Sequence, residues 1–434
     1  MMRSIVKNFQ NHRPRLWVIT VLFCILLAGL VMTVSVLNTR DEAEVDEHLA
    51  ERPFSPAQIQ RGAYLARAGN CQSCHTQVGA APYSGGKGIA TPFGVIYPGN
   101  LTPDNKTGLG TWNASHFWRA MHNGRSKDGR WLYPAFPYQQ YSLLTREDVD
   151  ALFSYLKSLP AVEQHNKDHS LSFPYNTQIA LALWRAMYFK PLAFAAVADK
   201  PVQWQRGRYL VEGLGHCAAC HSPRNALGAI VSGREFSGGM MLSEKWIAPS
   251  LLSMDEAGVM DWPAEEIVRL LRDGRTAAAH VSGPMASVVF GSTQYLSEED
   301  LTAMAVYLKN FPKAGKAAKQ PAAVADKQIM QSGARLYDKH CAECHGDQGE
   351  GRDAVYPALS GNRAVTMPDA TNLINVIRQG GFGPVTAQNP QPYGMPPFGH
   401  VLSRPELADL MTFIRQSWGN QASVVSELEV LRGR

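Results

Sequence analysis

Three five-residue stretches concentrate the reactive side chains of this chain: "CQSCH" at 71–75, "CAACH" at 217–221 and "CAECH" at 341–345. Each places two thiols three positions apart and an imidazole directly after the second. That spacing suits the addition of two thiols to the vinyl groups of one haem, with the adjacent histidine reaching the iron: the attachment pattern C-x-x-C-H. Cys71, Cys74, Cys217, Cys220, Cys341 and Cys344 are therefore expected as attachment thiols, and His75, His221 and His345 as proximal ligands, of three covalent haem c groups. Competing uses of the thiols fit less well. Three disulfides leave the repeated histidine unexplained, thiol redox chemistry calls for a βαβ context, and a zinc site needs two such pairs close together. The seventh cysteine, Cys24, lies alone in an apolar run.

The elements that would position these groups recur with them. A helical lead precedes each motif: "RGAYLARAGNC", "RGRYLVEGLGHC" and "SGARLYDKHC". An intermediate amphipathic helix follows, ending at Gly124, Gly274 and Gly380. A terminal helix then opens on Ser or Thr with an acid three residues later, a capping signature, at Thr145/Asp148, Ser297/Asp300 and Ser403/Glu406. Those last helices carry apolar residues at i, i+3, i+4 and i+7. The chain is thus an internal threefold repeat.

In this unit the distal iron ligand should come from the loop between the intermediate and terminal helices. Met285 lies there in the second copy, 11 residues after Gly274, and Met395 in the third, 15 after Gly380. Both adjoin proline, which stiffens the loop. In the first copy the place is taken by Phe136, 12 after Gly124, within "GRWLYPAFPYQQYS". A phenyl ring cannot coordinate iron. The first haem either has a vacant sixth position or takes a substitute from Met121, His122, Gln139 and Gln140. Met121 aligns with Leu271 and Ile377, a core position, and His122 with Arg272 and Arg378, an exposed or propionate-facing one. Trp112 and Trp262, each ahead of an intermediate helix, serve either haem packing or the plain core.

The 434 residues carry a formal charge of +5, too weak a balance to suggest nucleic acid. Part of it sits at Arg3, Lys7, Arg13 and Arg15. From Leu16 to Leu37 run 22 uncharged residues, about 33 Å as a helix against a hydrocarbon core of about 30 Å. Asp41, Glu42, Glu44, Asp46 and Glu47 follow. The positive-inside rule places the N-terminus in the cytoplasm and everything after residue 38 outside. Cleavage near Thr33 and Ser35, as in a signal peptide, is the alternative, and it exports the bulk of the chain equally.

Expected boundaries are 1–50 for anchor and linker, 51–160, 205–312 and 328–420 for three haem domains, 161–204 and 313–327 for connectors, and 421–434 for a tail. The first connector contains "IALALWRAMYF", which is too short and too interrupted by Arg185 and Lys190 to span a bilayer. It would lie on the membrane surface, dock on a partner or pack between domains. The second, "KAGKAAKQPAAVADK", reads as a flexible tether. No close pair of acids, serine–histidine arrangement or phosphate-binding glycine loop points to a catalytic residue.

The strings "TPFGVIYPGNLTPDNKTGLGTW", "LYPAFPY", "GHCAACHSPRNALGA", "GPMASVVFGSTQYLSEEDL" and "YGMPPFGHVLS" extend well beyond the haem motif. Over about residues 53–419 the chain resembles the three-haem cytochrome c subunits of bacterial membrane-bound dehydrogenases for alcohol, aldehyde, gluconate and sorbitol. The resemblance implies an all-α fold of three tandem class I cytochrome c-like domains after one N-terminal transmembrane helix. It implies a non-catalytic subunit on the periplasmic face of the inner membrane, taking electrons from a catalytic subunit that holds molybdopterin, PQQ or flavin. A small iron–sulfur subunit is a further possible partner, and ubiquinone or a terminal oxidase the acceptor. The residues matching the family's attachment, proximal and distal positions are those named above. Two departures stand out: many members have methionine where Phe136 stands, and many have a cleaved leader. The "YPAFPY" form resembles subunits paired with molybdenum-dependent aldehyde and N-heterocycle dehydrogenases. The alternatives are a cytochrome subunit of a terminal oxidase and a peroxidase or reductase working at an open first haem.

Overall fold

The computed structural model describes residues 13–42, 44–46, 53–241, 244–277, 279–312, 323–352 and 355–433. Arg3, Lys7 and most of the expected tether, residues 313–322, lie outside them. Helix α1 (Arg13–Thr39) follows from the uninterrupted apolar run, and its Trp17–Thr39 portion is long and apolar enough to cross a membrane.

Beyond it, one arrangement of helices occurs three times. The first set is α2 (Pro56–Ala68), α3 (Ala114–Asn123) and α4 (Arg146–Ser158), followed by α5 (Gln178–Tyr188) from the connector. The second is α6 (Val202–Arg208), continued as a π-helix over Tyr209–Leu214, with α7 (Ala264–Asp273) and α8 (Glu298–Lys309). The third is α9 (Lys327–His340), α10 (Thr371–Gln379) and α11 (Arg404–Gln416), closed by α12 (Glu427–Arg432). In each set the lead helix crosses the terminal helix at a glycine. Gly62 abuts the Ala151 carbonyl, Gly207 that of Ala303 and Gly333 that of Asp409, so that a Cβ would overlap backbone atoms. The repeated lead glycine therefore sets interhelical distance rather than a turn. The glycines ending the intermediate helices do turn the chain, with φ of 60° at Gly124, 73° at Gly274 and 66° at Gly380.

The terminal helices start where the caps were expected. Thr145, Ser297 and Ser403 hydroxyls accept the N–H groups of Asp148, Asp300 and Glu406. Of these three acids, only Glu406 returns the bond to its cap residue. Asp148 and Asp300 are shorter and otherwise engaged. Arg61 Nε and Tyr209 Oη donate to Asp148, each at 2.7 Å. Arg206 Nε at 2.8 Å and Tyr64 Oη at 2.6 Å donate to Asp300. Each aspartate thus takes the arginine of its own set and the tyrosine of the other. One hydrophobic core runs through both sets, with Leu65, Leu152 and Phe153 beside Leu210, Leu214 and Leu301.

The third set has Ser332 and Arg335 where the others have arginine and tyrosine. Its core, around Ile374, Leu407, Leu410 and Met411, is separate. It meets the second set mainly through polar contacts to backbone, such as Asn372 with both backbone groups of Ile247 and Arg363 with the Gly258 carbonyl. The last tether residues are held on α11, where Gln416 bonds Ala323 and Ala325.

The all-α expectation meets three small antiparallel ribbons among the described residues. They are β1 (Ile89–Thr91), β2 (Gly94–Ile96) and β3 (Ser170–Leu171); β4 (Gly239–Met241) with β5 (Trp246–Ala248); and β6 (Gly381–Phe382) with β7 (Gly394–Met395). Strand β3 belongs to the first connector. Residues Val162 to Leu171 return to the first set, where Asn100 Nδ2 donates to the Val162 carbonyl at 2.8 Å and Gly94 pairs with Leu171.

Candidate functional site

Each C-x-x-C-H stretch folds as a single helical turn, at Cys71–His75, Ala218–His221 and Ala342–His345. Residues three and four apart on a helix share a face, so one turn brings both thiols and the imidazole to one side. The six thiols are unpaired. Burial pushes Cys71, Cys217 and Cys341 up to about 12, which keeps them protonated at neutral pH and suits them poorly to thiol–disulfide exchange. Among the described residues no group of three or more His, Cys, Asp or Glu converges on a metal site.

The three imidazoles are held alike. Nδ1 of His75 lies 2.8 Å from the Gly99 carbonyl, that of His221 2.7 Å from Pro249, and that of His345 2.9 Å from Pro357. A carbonyl only accepts, so Nδ1 carries the proton and Nε2 keeps its lone pair. Burial lowers the pKa of all three, outweighing the carbonyl contact that favours the cation. Neutral, oriented imidazoles result. Each histidine carbonyl also accepts from a glycine, at Gly85, Gly238 and Gly351. Two thiols and one presented Nε2 at each turn are the donor set of covalent haem c, and these residues fit that group.

The supporting carbonyls escape a motif search because they lie 24, 28 and 12 residues beyond their histidines. A faint signal exists: the carbonyl residue stands two before a leucine in each copy, at Leu101, Leu251 and Leu359. Those leucine N–H groups bond Tyr83, Phe236 and Gly349, fixing the strands of chain that present the carbonyls.

The distal loops fall between intermediate and terminal helices. Met285 opens the helix Pro284–Gly291 and is half-buried against the shared core, while Met395 lies in β7 against the third core. Phe136 is half-buried in the first loop, with its ring 5.4 Å from that of Tyr141. The substitute candidates are mostly committed elsewhere. Met121 is part of the core, the His122 ring stacks on Trp118 at 4.7 Å, and Gln139 Nε2 donates to the Tyr188 carbonyl. Gln140 is half-buried on the same loop. Trp112 and Trp262 pack at the edge of the shared core, where the Arg363 guanidinium of the third set lies 5.6 Å from the Trp262 ring centre.

Arg185, read from sequence only as an interruption of an apolar stretch, is fully buried. Its guanidinium sits among the rings of Trp131 (4.3 Å), Phe189 (4.5 Å) and Tyr138 (5.2 Å). Its Nε donates to Asn38 Oδ1 of α1 at 3.0 Å. Trp131 and Tyr138 flank Phe136, so the first distal loop is tied to the end of the apolar helix. Arg125 with Glu42, and Asn123 with the Asp41 carbonyl, add to that junction.

The cytochrome c family profile matches residues 59–160 and 330–418, the spans containing the first and third turns. The alcohol dehydrogenase (quinone) cytochrome c subunit of Gluconacetobacter polyoxogenes is 38% identical over 391 residues, covering 86% of this chain and 83% of that one. The gluconate 2-dehydrogenase cytochrome c subunit of Pantoea cypripedii is 37% identical over 392 residues, 86% and 88% of the two chains. The fructose dehydrogenase cytochrome subunit of Gluconobacter japonicus is 32% identical over 433 residues, 92% of this chain and 87% of that one. With the haem-binding turns, these likenesses show that the chain belongs to the cytochrome c subunits of membrane-bound dehydrogenases, which bind haem c covalently and transfer electrons.

Proposed function

We propose that this chain carries electrons through three haems c, from the catalytic subunit of a periplasmic dehydrogenase to ubiquinone or another respiratory acceptor of the inner membrane. The observation that carries this reading is the threefold recurrence of a neutral histidine braced through Nδ1 by a backbone carbonyl behind two thiols. Haem bound at such a turn supplies reversible one-electron chemistry. Cys71/Cys74, Cys217/Cys220 and Cys341/Cys344 are the attachment pairs, and His75, His221 and His345 hold the proximal side. Met285 and Met395 would supply a thioether ligand to the second and third groups, a ligation that raises a haem potential. Phe136 denies the first site that ligand.

The units run as tandem cytochrome c domains at 51–160, 205–312 and 328–420, with α1 as an uncleaved anchor and the haem domains outside the cytoplasm. The ties from α1 to the first distal loop support electron exit from the first unit to a membrane acceptor. The partner's cofactor is molybdopterin, PQQ or flavin, with an iron–sulfur subunit in the molybdenum case. Its substrate is an aldehyde or alcohol, and "YPAFPY" favours the aldehyde type. Pyridine haemochrome analysis of the purified chain against its protein content tests the reading. Three haems per polypeptide are expected, and two would remove one of the proposed carriers.

A further inference from the structure

Helix α5 has a buried face and an exposed apolar one. One packs inward through Leu181, Trp184 and Arg185, and the Trp184 indole donates to the Leu227 carbonyl of the second unit. The other presents Ile179, Leu183 and Met187, exposed by 76, 41 and 60 %, at four-residue spacing along one stripe. Phe173 and Leu192 extend the exposed apolar surface before and after the helix. Gln178, the one polar residue exposed on α5, spends its amide on both backbone groups of Trp131. The outward stripe carries no charge, and the exposed Lys190 lies two residues past the end of α5.

The position of this helix is as informative as its composition. Asn38 of α1 donates to the Ala182 carbonyl at 3.0 Å and accepts from Arg185, which fixes α5 beside the last turn of the apolar span. Asn38 lies ten residues from residue 28, the midpoint of Trp17–Thr39. At 1.5 Å per residue that is about 15 Å, half the thickness of a hydrocarbon core of about 30 Å. A helix pinned at that depth lies where acyl chains meet headgroups, the level at which in-plane apolar helices bind.

We propose that α5 is a second membrane contact, lying in the outer interface of the bilayer with Ile179, Leu183 and Met187 in lipid. Resting on the reading of α1 as a spanning helix, the contact seats the first unit on the membrane. The inner face of α5 holds the Arg185 cage around the first distal loop, so that loop is fixed at the lipid surface.

The test uses the full-length, haem-loaded chain in nanodiscs of phosphatidylethanolamine and phosphatidylglycerol. Ile179→Cys, Leu183→Cys and Met187→Cys are made singly in a Cys24→Ser background, with Val78→Cys as the reference. Val78 is 96 % exposed in the first unit. A sulfonated, membrane-impermeant maleimide should label the three α5 positions about tenfold or more slowly than position 78, because a charged reagent is excluded from the acyl region. An apolar maleimide should label all four, which separates lipid burial from protein burial. Fast labelling of the α5 positions by the sulfonated reagent overturns the proposal. Protection found only in the native complex also overturns it, and assigns the stripe to a partner subunit. In the parent chain, which keeps Cys24 near the middle of α1, the same sulfonated reagent checks the underlying reading: if it labels Cys24, α1 does not span.

Discussion

In the proposed assignment of three haem sites, one phenyl ring distinguishes the first from its two siblings. Phe136 stands where that assignment has Met285 and Met395 in the other two units, and Met121, His122 and Gln139 already have packing or hydrogen-bond partners. One haem in three is therefore expected to bind carbon monoxide when the protein is reduced. Phe136→Met should abolish that difference spectrum and raise the lowest of the three potentials, as read by optical redox titration. No carbon monoxide binding in the parent chain would mean that another side chain ligates the iron. Asp300 is a second residue with a measurable role. Burial alone would raise its pKa, but hydrogen bonds from Arg206 and Tyr64 outweigh burial and hold it below the ordinary value. A depressed carboxylate stabilises the fold above its unfolded pKa of about 3.9 and loses that contribution as the pH falls through the folded value. Denaturant midpoints should therefore drop on acidification below about pH 4. Asp300→Asn should cost about 3 kcal/mol at neutral pH and flatten that acid dependence.

At the scale of elements, the sequence was most legible where chemistry forces residues to be neighbours. Attachment thiols, proximal histidines, intermediate-helix glycines and terminal-helix caps are local patterns, and the structure places the caps and glycine turns where periodicity put them. Long-range partners left no local trace. The Tyr64–Asp300 bond joins residues 236 apart, and the carbonyls behind the histidines come from loops of different lengths. Arg185 is a related case: the sequence shows only a charge interrupting an apolar stretch, and the three rings around it come together in the fold. The lead-helix glycine was visible in every copy, yet its purpose emerges only from the crossing partner. Gly207→Ala should push α6 off the Ala303 carbonyl and destabilise the protein by about 3 kcal/mol. Thermal unfolding of the haem-loaded variant, followed at the Soret band, checks this, and an unchanged midpoint would show that the crossing can relax.

The whole molecule divides unequally. The first two units share one core and exchange tyrosines across reciprocal arginine–aspartate pairs, whereas the third has its own core and joins them through polar contacts. Among the described residues, the end of the apolar helix is tied to the first unit and its connector through Arg185, Arg125 and Asn123. This layout suits a chain that gathers electrons at one end and delivers them at the membrane, and its relatives serve dehydrogenases acting on different substrates. The measurement that bears most directly on it is gentle detergent extraction from native membranes, followed by subunit, cofactor and haem analysis of whatever stays bound. The expected result is a complex in which this chain, with three haems, accompanies a dehydrogenase subunit holding molybdopterin, PQQ or flavin. Recovery of the chain alone, or with a copper–haem oxidase, would contradict it.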